Sequence, residues 1–166
     1  YPLRRQRQMC IRDRYRKGYR GVIFDIDNTL VPHGAPATKE AAAFFASLRE
    51  TGFSTCLLSN NQKPRVAPFA DAVGSIYIEN AHKPSVKNYQ EACRRMGIKE
   101  EQAVFVGDQL FTDVYGAKRT GLYNILTEPI DPKEEIQIVL KRYLEHIVLF
   151  FYERDLARGR ITKKNS

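Results

Sequence analysis

Residues 22–30 read Val-Ile-Phe-Asp-Ile-Asp-Asn-Thr-Leu, and this segment carries the strongest indication of the fold. Its continuous apolar run is typical of a strand that is buried on both faces of a parallel sheet. Asp25 and Asp27 follow this run with one residue between them, so an extended backbone directs both carboxylates to the same side. Two carboxylates that close repel each other unless a cation or a proton lies between them. The alternative interpretation is an ordinary strand end followed by a turn-forming Asp-Asn pair.

Apolar runs that predict strands alternate with helical patterns along the rest of the chain. The further predicted strands cover residues 53–58, 75–78, 103–106 and 122–126. Helices are predicted to begin near Thr38, Pro64, Ser85, Leu110 and Pro132. This alternation predicts βαβ units, whose right-handed crossovers place the carboxyl end of every strand at one edge. We therefore predict a single Rossmann-like, three-layer α/β domain with a five-stranded, mainly parallel sheet.

The positive charge of the chain is concentrated at its start. The 166 residues carry a formal net charge of +8, which favours a nucleic-acid partner until the charges are located. Residues 1–20 hold eight basic side chains against one aspartate, so the remainder is nearly neutral and we expect no specific nucleic-acid binding. Because residues 4–14 lack periodicity, we expect residues 1–16 to be a non-native or disordered basic extension. The alternative is a basic arm for RNA or anionic lipid.

The cysteine pattern indicates neither a disulfide framework nor a zinc site. Cys10, Cys56 and Cys93 are odd in number and share no metal-ligand spacing. Cys56 and Cys93 lie in apolar patterns, so both are expected to be small buried hydrophobic residues. Nothing in the sequence favours export, and we expect a cytoplasmic protein.

Polar side chains follow four of the predicted strands. In chain order they are Asp25 with Asp27, Ser59 with Asn60, Lys83, and Asp108 with Asp113. Because the carboxyl ends of parallel strands meet at one edge, we expect these groups to form one site. Carboxylates without a His/Cys cluster favour Mg²⁺, and a lysine with a hydroxyl suits a dianionic phosphoryl group. The set therefore predicts phosphoryl transfer.

The same segments resemble the motifs of a known family. Asp25-Ile26-Asp27-Asn28-Thr29, Ser59-Asn60, Lys83-Pro84 and residues 107–113 (Gly-Asp-Gln-Leu-Phe-Thr-Asp) are similar to the four motifs of the haloacid dehalogenase (HAD) superfamily, in the same order. The longer runs Asp-Asn-Thr-Leu-Val-Pro from residue 27 and Lys-Pro-Ser from residue 83 resemble the capless, YqeG-type (HAD IIIA) phosphatases. The similarity extends over about residues 17–144.

This resemblance implies a Mg²⁺-dependent phosphomonoester hydrolase that forms an aspartyl-phosphate. Asp25 would be the nucleophile, and Asp27 would protonate the leaving alkoxide and later activate water. Asp25, the backbone carbonyl of Asp27 and Asp108 would hold Mg²⁺. Asp113 would orient Lys83 or a water on the metal.

The remaining roles implied by the resemblance concern the substrate phosphate. Lys83 would balance the negative charge of the nucleophile and the phosphate. Ser59 would bind a phosphoryl oxygen, and Asn60 would act through its backbone. Thr29 would bond an oxygen of the nucleophile. His33 and His82 are expected to be partly exposed loop residues, with substrate contact as the alternative.

Members of this superfamily that act on small metabolites usually carry a cap domain, for which this chain has no room. Residues 26–37 alone connect Asp25 to the first predicted helix, and one helix with one short strand fills the interval from Ser59 to Lys83. An open site suits a phosphate on a large body, such as a protein, a nucleic acid or a lipid head group like that of phosphatidylglycerophosphate. The alternatives are a partner chain, such as a second copy, that covers the site, and a non-catalytic scaffold.

The C-terminal segment bears on this choice. The helix predicted from Pro132 carries an apolar stripe formed by Ile136, Val139, Leu140, Tyr143, Leu144, Ile147 and Phe151. This stripe either docks on the sheet or lies at the inner face of a membrane, aided by the basic tail of residues 154–166. The predicted phosphatase domain is thus residues 17–153.

Overall fold

The computed structural model describes residues 11–131, in which strands and helices alternate along the chain. The strands are β1 (Gly21–Phe24), β2 (Ser54–Leu58), β3 (Ile76–Ile78), β4 (Ala103–Gly107) and β5 (Tyr123–Leu126). The α-helices that follow β1 are α1 (Lys39–Thr51), α2 (Lys63–Val73), α3 (Val86–Met96) and α4 (Tyr115–Thr120). A π-helical turn, Leu110–Val114, leads directly into α4.

The five strands form one sheet in the order β3-β2-β1-β4-β5. Every neighbouring pair is parallel, so the sheet is wholly rather than mainly parallel. In the register, Ile23 lies opposite Cys56 on one side and Phe105 on the other. Because β1 is central, the residues after it lie at the middle of the carboxyl edge.

The helices cover both faces of the sheet because the side chains of β1 alternate between two cores. Val22 and Phe24 pack with the apolar residues of α1 and α2, including Phe45 and Phe69. Ile23 packs on the opposite face with residues of α3 and α4, including Tyr89. The predicted three-layer α/β fold is therefore confirmed, and each core is closed by a different pair of helices.

The helix ends follow the expected local chemistry. The Thr38 hydroxyl accepts a 3.1 Å hydrogen bond from the Ala41 amide at the start of α1, and Gly52 ends this helix with a φ of 99°. The helix predicted to begin near Leu110 differs from a regular α-helix, since its first turn is π-helical. The Val114 amide donates to the Gln109 carbonyl at 3.2 Å, five residues back.

The described residues as far as Ile130 belong to one compact unit, without a cap domain over the carboxyl edge. Residues 11–16 are helical, and the Tyr15 ring meets the Phe53 ring edge-on at 5.4 Å.

Cys56 and Cys93 are buried free thiols, as predicted. Between residues 11 and 131, no helix is both long and apolar enough to cross a bilayer. The boundary at residue 16 stays a prediction, and the predicted C-terminal helix and basic tail lie outside the described residues.

Candidate active site

The backbone after β1 fixes the first two carboxylates at the centre of the sheet edge. The Asp25 amide donates to the Val106 carbonyl at 3.0 Å, which continues the pairing of β1 with β4 for one more residue. Asn28 then takes a left-handed conformation with a φ of 63°, a geometry that asparagine tolerates better than most residues. Asp25 and Asp27 are both buried. Both carboxylates thus lie just beyond the end of β1, and the turn begins immediately after the second one.

Lys83 joins two carboxylates that arrive from distant parts of the chain. Its Nζ lies 2.5 Å from Asp25 Oδ1 and 2.7 Å from Asp113 Oδ1. The Lys83 side chain is only 4% exposed and that of Asp113 only 1%, so little water screens these charges. An ammonium group donates up to three hydrogen bonds, and two of them hold the carboxylates here.

A third buried carboxylate completes the acidic cluster. Asp25, Asp108 and Asp113 each offer an oxygen within 4.8 Å of the others. The Thr29 hydroxyl donates to Asp108 Oδ1 at 2.9 Å. Three carboxylates around one ammonium leave the cluster with excess negative charge, and carboxylate oxygens are the ligands that hard divalent cations prefer. The cluster therefore fits a divalent metal ion.

The pKa values of Asp25 and Lys83 reflect this excess of negative charge in the cluster. Burial raises the pKa of Asp25 to about 7; Lys83 opposes this rise, and the charge of Asp113 contributes to it. Burial favours the neutral amine of Lys83, but Asp25 and Asp113 outweigh it and raise the pKa of this lysine above its ordinary value. Lys83 is therefore a fixed positive charge, whereas the ionised form of Asp25 needs a further cation.

Asp27 has a separate set of partners. Its Oδ1 accepts hydrogen bonds from the Gly34 amide and from Arg65 Nη2, both at 2.8 Å, and its Oδ2 accepts one from Asn61 Nδ2 at 2.6 Å. The exposed His33 places its Nδ1 4.0 Å from the same Oδ1. The sequence interpretation missed Asn61 and Arg65 as partners of Asp27. The available signal was their position in the loop and first helical turn after β2, at the same sheet edge.

The remaining predicted site residues also lie at this edge. The buried Ser59 accepts a 3.2 Å hydrogen bond from the Asn61 amide through its hydroxyl. Asn60 pairs its side chain with the backbone of Lys83, since its Oδ1 accepts from the Lys83 amide at 2.7 Å. Thr29 contacts Asp108 rather than the expected oxygen of Asp25.

The π-helical turn places Asp113 against the end of β4. A Cβ atom at Gly107 would overlap the Asp113 carboxylate, so a glycine is needed for this close approach. The Gln109 amide donates to Asp113 Oδ2 at 3.2 Å. On the other side, the fully buried Tyr89 of α3 donates its hydroxyl hydrogen to the Thr112 carbonyl at 2.7 Å.

A parallel α/β sheet with this cluster at its carboxyl edge has the charges that phosphate-ester chemistry requires, namely carboxylates for a divalent cation and a lysine for the phosphate. A sequence model of the haloacid dehalogenase-like hydrolases matches residues 34–121. The chain is 35% identical over 139 residues to "Probable phosphatase YqeG" of Bacillus subtilis, an alignment that covers 83% of this chain and 81% of that protein. The chain belongs to the haloacid dehalogenase-like hydrolases and to their YqeG type. This family membership confirms the prediction of a phosphatase.

Two further comparisons concern a plant phosphatase and a solved bacterial structure. The chain is 29% identical to "Phosphatidylglycerophosphate phosphatase 1, chloroplastic/mitochondrial" of Arabidopsis thaliana, over 87% of this chain but 44% of that protein. An uncharacterized protein from Corynebacterium glutamicum has a similar solved structure, with a TM-score of 0.56 and 23% identity over 74% of this chain and 93% of that one. The structural likeness supports the fold alone.

Proposed function

We propose that this chain is a Mg²⁺-dependent phosphomonoester hydrolase that forms an aspartyl-phosphate on Asp25. The proposal rests above all on the buried Asp25–Lys83 pair, which is surrounded by the carboxylates of Asp108 and Asp113. Asp27 follows Asp25 by two residues and accepts hydrogen bonds from other groups, the Gly34 amide and the Asn61 side chain. Each carboxylate therefore has a distinct environment, as the separate roles of nucleophile and proton carrier require.

In the first step, a carboxylate oxygen of Asp25 attacks phosphorus and the bond from phosphorus to the ester oxygen breaks. Lys83 engages Oδ1 of Asp25, which leaves Oδ2 as the oxygen without a hydrogen bond to Lys83. The ammonium of Lys83 also offsets the charge that builds up on the phosphoryl oxygens. Asp27 donates its proton to the departing ester oxygen, which leaves as an alcohol.

In the second step, Asp27 takes a proton from a water molecule, and the resulting hydroxide attacks the phosphorus of the aspartyl-phosphate. The bond between phosphorus and the Asp25 oxygen breaks, which releases inorganic phosphate and restores the carboxylate. Asn61 and the Gly34 amide hold the Asp27 carboxylate in place for both transfers.

The divalent metal would be held by Asp25, Asp108 and the backbone carbonyl of Asp27, with Asp113 close by. When bound, it supplies positive charge that draws the dianionic phosphate toward the nucleophile. Mg²⁺ suits this set because it prefers oxygen ligands and is commonly bound by one or two protein carboxylates together with oxygens of a substrate phosphate. Asp113 contributes by orienting Lys83.

Ser59 and Asn60 would bind the transferred phosphoryl group. The Ser59 hydroxyl accepts a bond from the Asn61 amide and keeps its own hydrogen for a phosphoryl oxygen. Asn60 would contribute its backbone amide, since its side chain braces Lys83. Thr29 would act on the same phosphate indirectly, through Asp108.

The deciding experiment is phosphate release from p-nitrophenyl phosphate by the wild type and by Asp25→Asn. The substitution should abolish turnover, and EDTA should abolish it until Mg²⁺ is restored. Asp71→Asn, an exposed change of the same kind on α2, serves as the control. Mass spectrometry after rapid acid quench should find phosphate on the peptide that contains Asp25. Full activity of Asp25→Asn, or full activity in EDTA, would refute the mechanism.

A phospholipid head group at the cytoplasmic face of a membrane is the proposed substrate class. The named activity of the Arabidopsis relative and the lack of a cap over the site within residues 11–131 support this choice. Phe111 is 80% exposed and Leu110 58% exposed in the turn between Asp108 and Asp113, where an apolar surface could meet them. The alternatives are protein or nucleotide phosphates. A phosphate-release screen separates these classes, and efficient cleavage of small sugar phosphates would count against a lipid.

A further inference from the structure

Arg65 is a charged residue beside the site to which the proposed mechanism assigns no role. It belongs to the first turn of α2, and its Nη2 donates to Asp27 Oδ1 at 2.8 Å. A guanidinium has five N–H donors, and this is the single hydrogen bond that the Arg65 side chain makes with the described residues. Its Nε is buried without an acceptor among those residues. Such an unsatisfied donor calls for an explanation.

The position of Arg65 defines which part of a substrate it would meet. In the proposed mechanism, Asp27 donates its proton to the ester oxygen, so the leaving group lies on the Asp27 side of phosphorus. Lys83 instead contacts Asp25, the proposed nucleophile, and Asp113. Arg65 is therefore placed beside the leaving group rather than beside the transferred phosphoryl group.

The surroundings of Arg65 favour an anion as its ligand. The Arg65 side chain is 22% exposed, so its outer N–H groups are reachable from solvent. Its Cζ lies 5.5 Å from the centre of the Phe69 ring, which restricts the guanidinium. His33 approaches Asp27 from another loop and adds a second nitrogen donor on this side. A guanidinium with unused donors matches a phosphate group, to which it binds through two parallel hydrogen bonds.

We propose that Arg65 is a specificity-determining residue that binds a second phosphate, carried on the leaving group of the substrate. The inference rests on the proposed function, because it places the leaving group beside Asp27. In the free protein Arg65 pairs with Asp27, and the substrate's second phosphate takes the donors that this pair leaves unused. The preferred substrate class is thus a phosphomonoester whose alcohol carries a phosphodiester or a further phosphate.

The test compares two soluble substrates, glycerol 3-phosphate and glycerophosphoglycerol phosphate, which adds a phosphodiester on the leaving group. The wild type should prefer the second substrate in kcat/KM. Arg65→Gln should reduce this preference by about tenfold to a hundredfold, the usual effect of losing charge-assisted hydrogen bonds. Arg65→Lys should retain part of it. Lys63→Gln removes the same charge from an exposed position two residues away and should retain all of it.

A binding measurement separates this inference from the proposed function. In the Asp25→Asn background, calorimetry should show tighter binding of glycerophosphoglycerol phosphate than of glycerol 3-phosphate, and Arg65→Gln should remove the difference. Equal affinity of the two ligands, or an equal loss of kcat on both substrates in Arg65→Gln, would overturn the inference, because Arg65 would then only position Asp27. A wild type that binds selectively but turns over neither substrate would refute the proposed function while supporting the role of Arg65.

Discussion

The hydroxyl of Thr29 donates a 2.9 Å hydrogen bond to Asp108 Oδ1, although the two residues are 79 positions apart in the chain. Thr29 follows the central strand β1, and Asp108 follows the neighbouring strand β4. The parallel register of these strands brings the two loops together, so this bond joins the segment of the proposed nucleophile to that of the proposed metal ligand.

We expect Thr29→Val to weaken metal binding without disturbing the fold. A hydrogen bond to a ligating carboxylate orients it, and losing such a bond typically costs about 10- to 100-fold in metal affinity or activity. The Mg²⁺ concentration for half-maximal activity should therefore rise. Thr51→Val is the matched control, since the Thr51 hydroxyl donates only to the Ser47 carbonyl within α1. An unchanged Mg²⁺ requirement in Thr29→Val would show that this bond has no part in orienting Asp108.

Lys83→Met should destabilise the protein in EDTA as well as abolish activity. The substitution leaves Asp25 and Asp113 buried together without the ammonium group that both contact. Removing one partner of a buried ion pair costs about 3–5 kcal/mol, although protonation of a carboxylate would lessen this cost. Thermal unfolding should show a lower Tm for Lys83→Met, whereas Lys87→Met, at an exposed position of α3, should leave Tm nearly unchanged. Equal Tm values for the two variants would contradict the structural role of Lys83.

Tyr89→Phe tests whether α3 supports the π-helical turn. The change removes the hydroxyl that donates to the Thr112 carbonyl and leaves this acceptor buried, at a cost of about 1–3 kcal/mol. Because Asp113 is the next residue, we also expect kcat to fall several-fold while KM changes little. The half-buried Tyr77 makes no hydrogen bond to the π-helical turn, so Tyr77→Phe should retain kcat. A full kcat in Tyr89→Phe would mean that the turn holds its shape without α3.

The sequence was sufficient to predict the sheet and its polar edge because each strand carries its own local signal. The apolar run before Asp25 and the glycine after α1 specify a buried strand and a helix end independently of the rest of the chain. The parallel topology then requires the carboxyl ends of the strands to meet. These local signals were enough to bring Asp25, Lys83 and Asp108 to one edge.

The partners of Asp27 could not be predicted in the same way. Arg65 contacts Asp27 because its long side chain reaches back from the first turn of α2, and that direction depends on how α2 packs against the sheet. The π-helical turn was also missed, because the pattern of residues 110–120 fits an α-helix equally well. Thr29 illustrates a third limit, since both Asp25 and Asp108 lie within its plausible reach and only the three-dimensional structure selects Asp108.

The free energy of unfolding of the metal-free protein should decrease as pH rises from about 4 to about 7. The reason is that burial raises the pKa of Asp25 to about 7 in the folded protein. The ordinary pKa of an aspartate in the unfolded chain is lower, at 3.8, so between these values the folded state holds a proton that the unfolded state has released. The stabilising contribution is therefore complete below the unfolded pKa and is lost as pH passes the folded pKa. In EDTA, Tm of the wild type should fall by about 5 °C more than Tm of Asp25→Asn between pH 5 and pH 8. Added Mg²⁺ should remove this difference, because a cation beside Asp25 favours its ionised form. Parallel Tm profiles of the two proteins in EDTA would mean that Asp25 is already ionised without a metal ion.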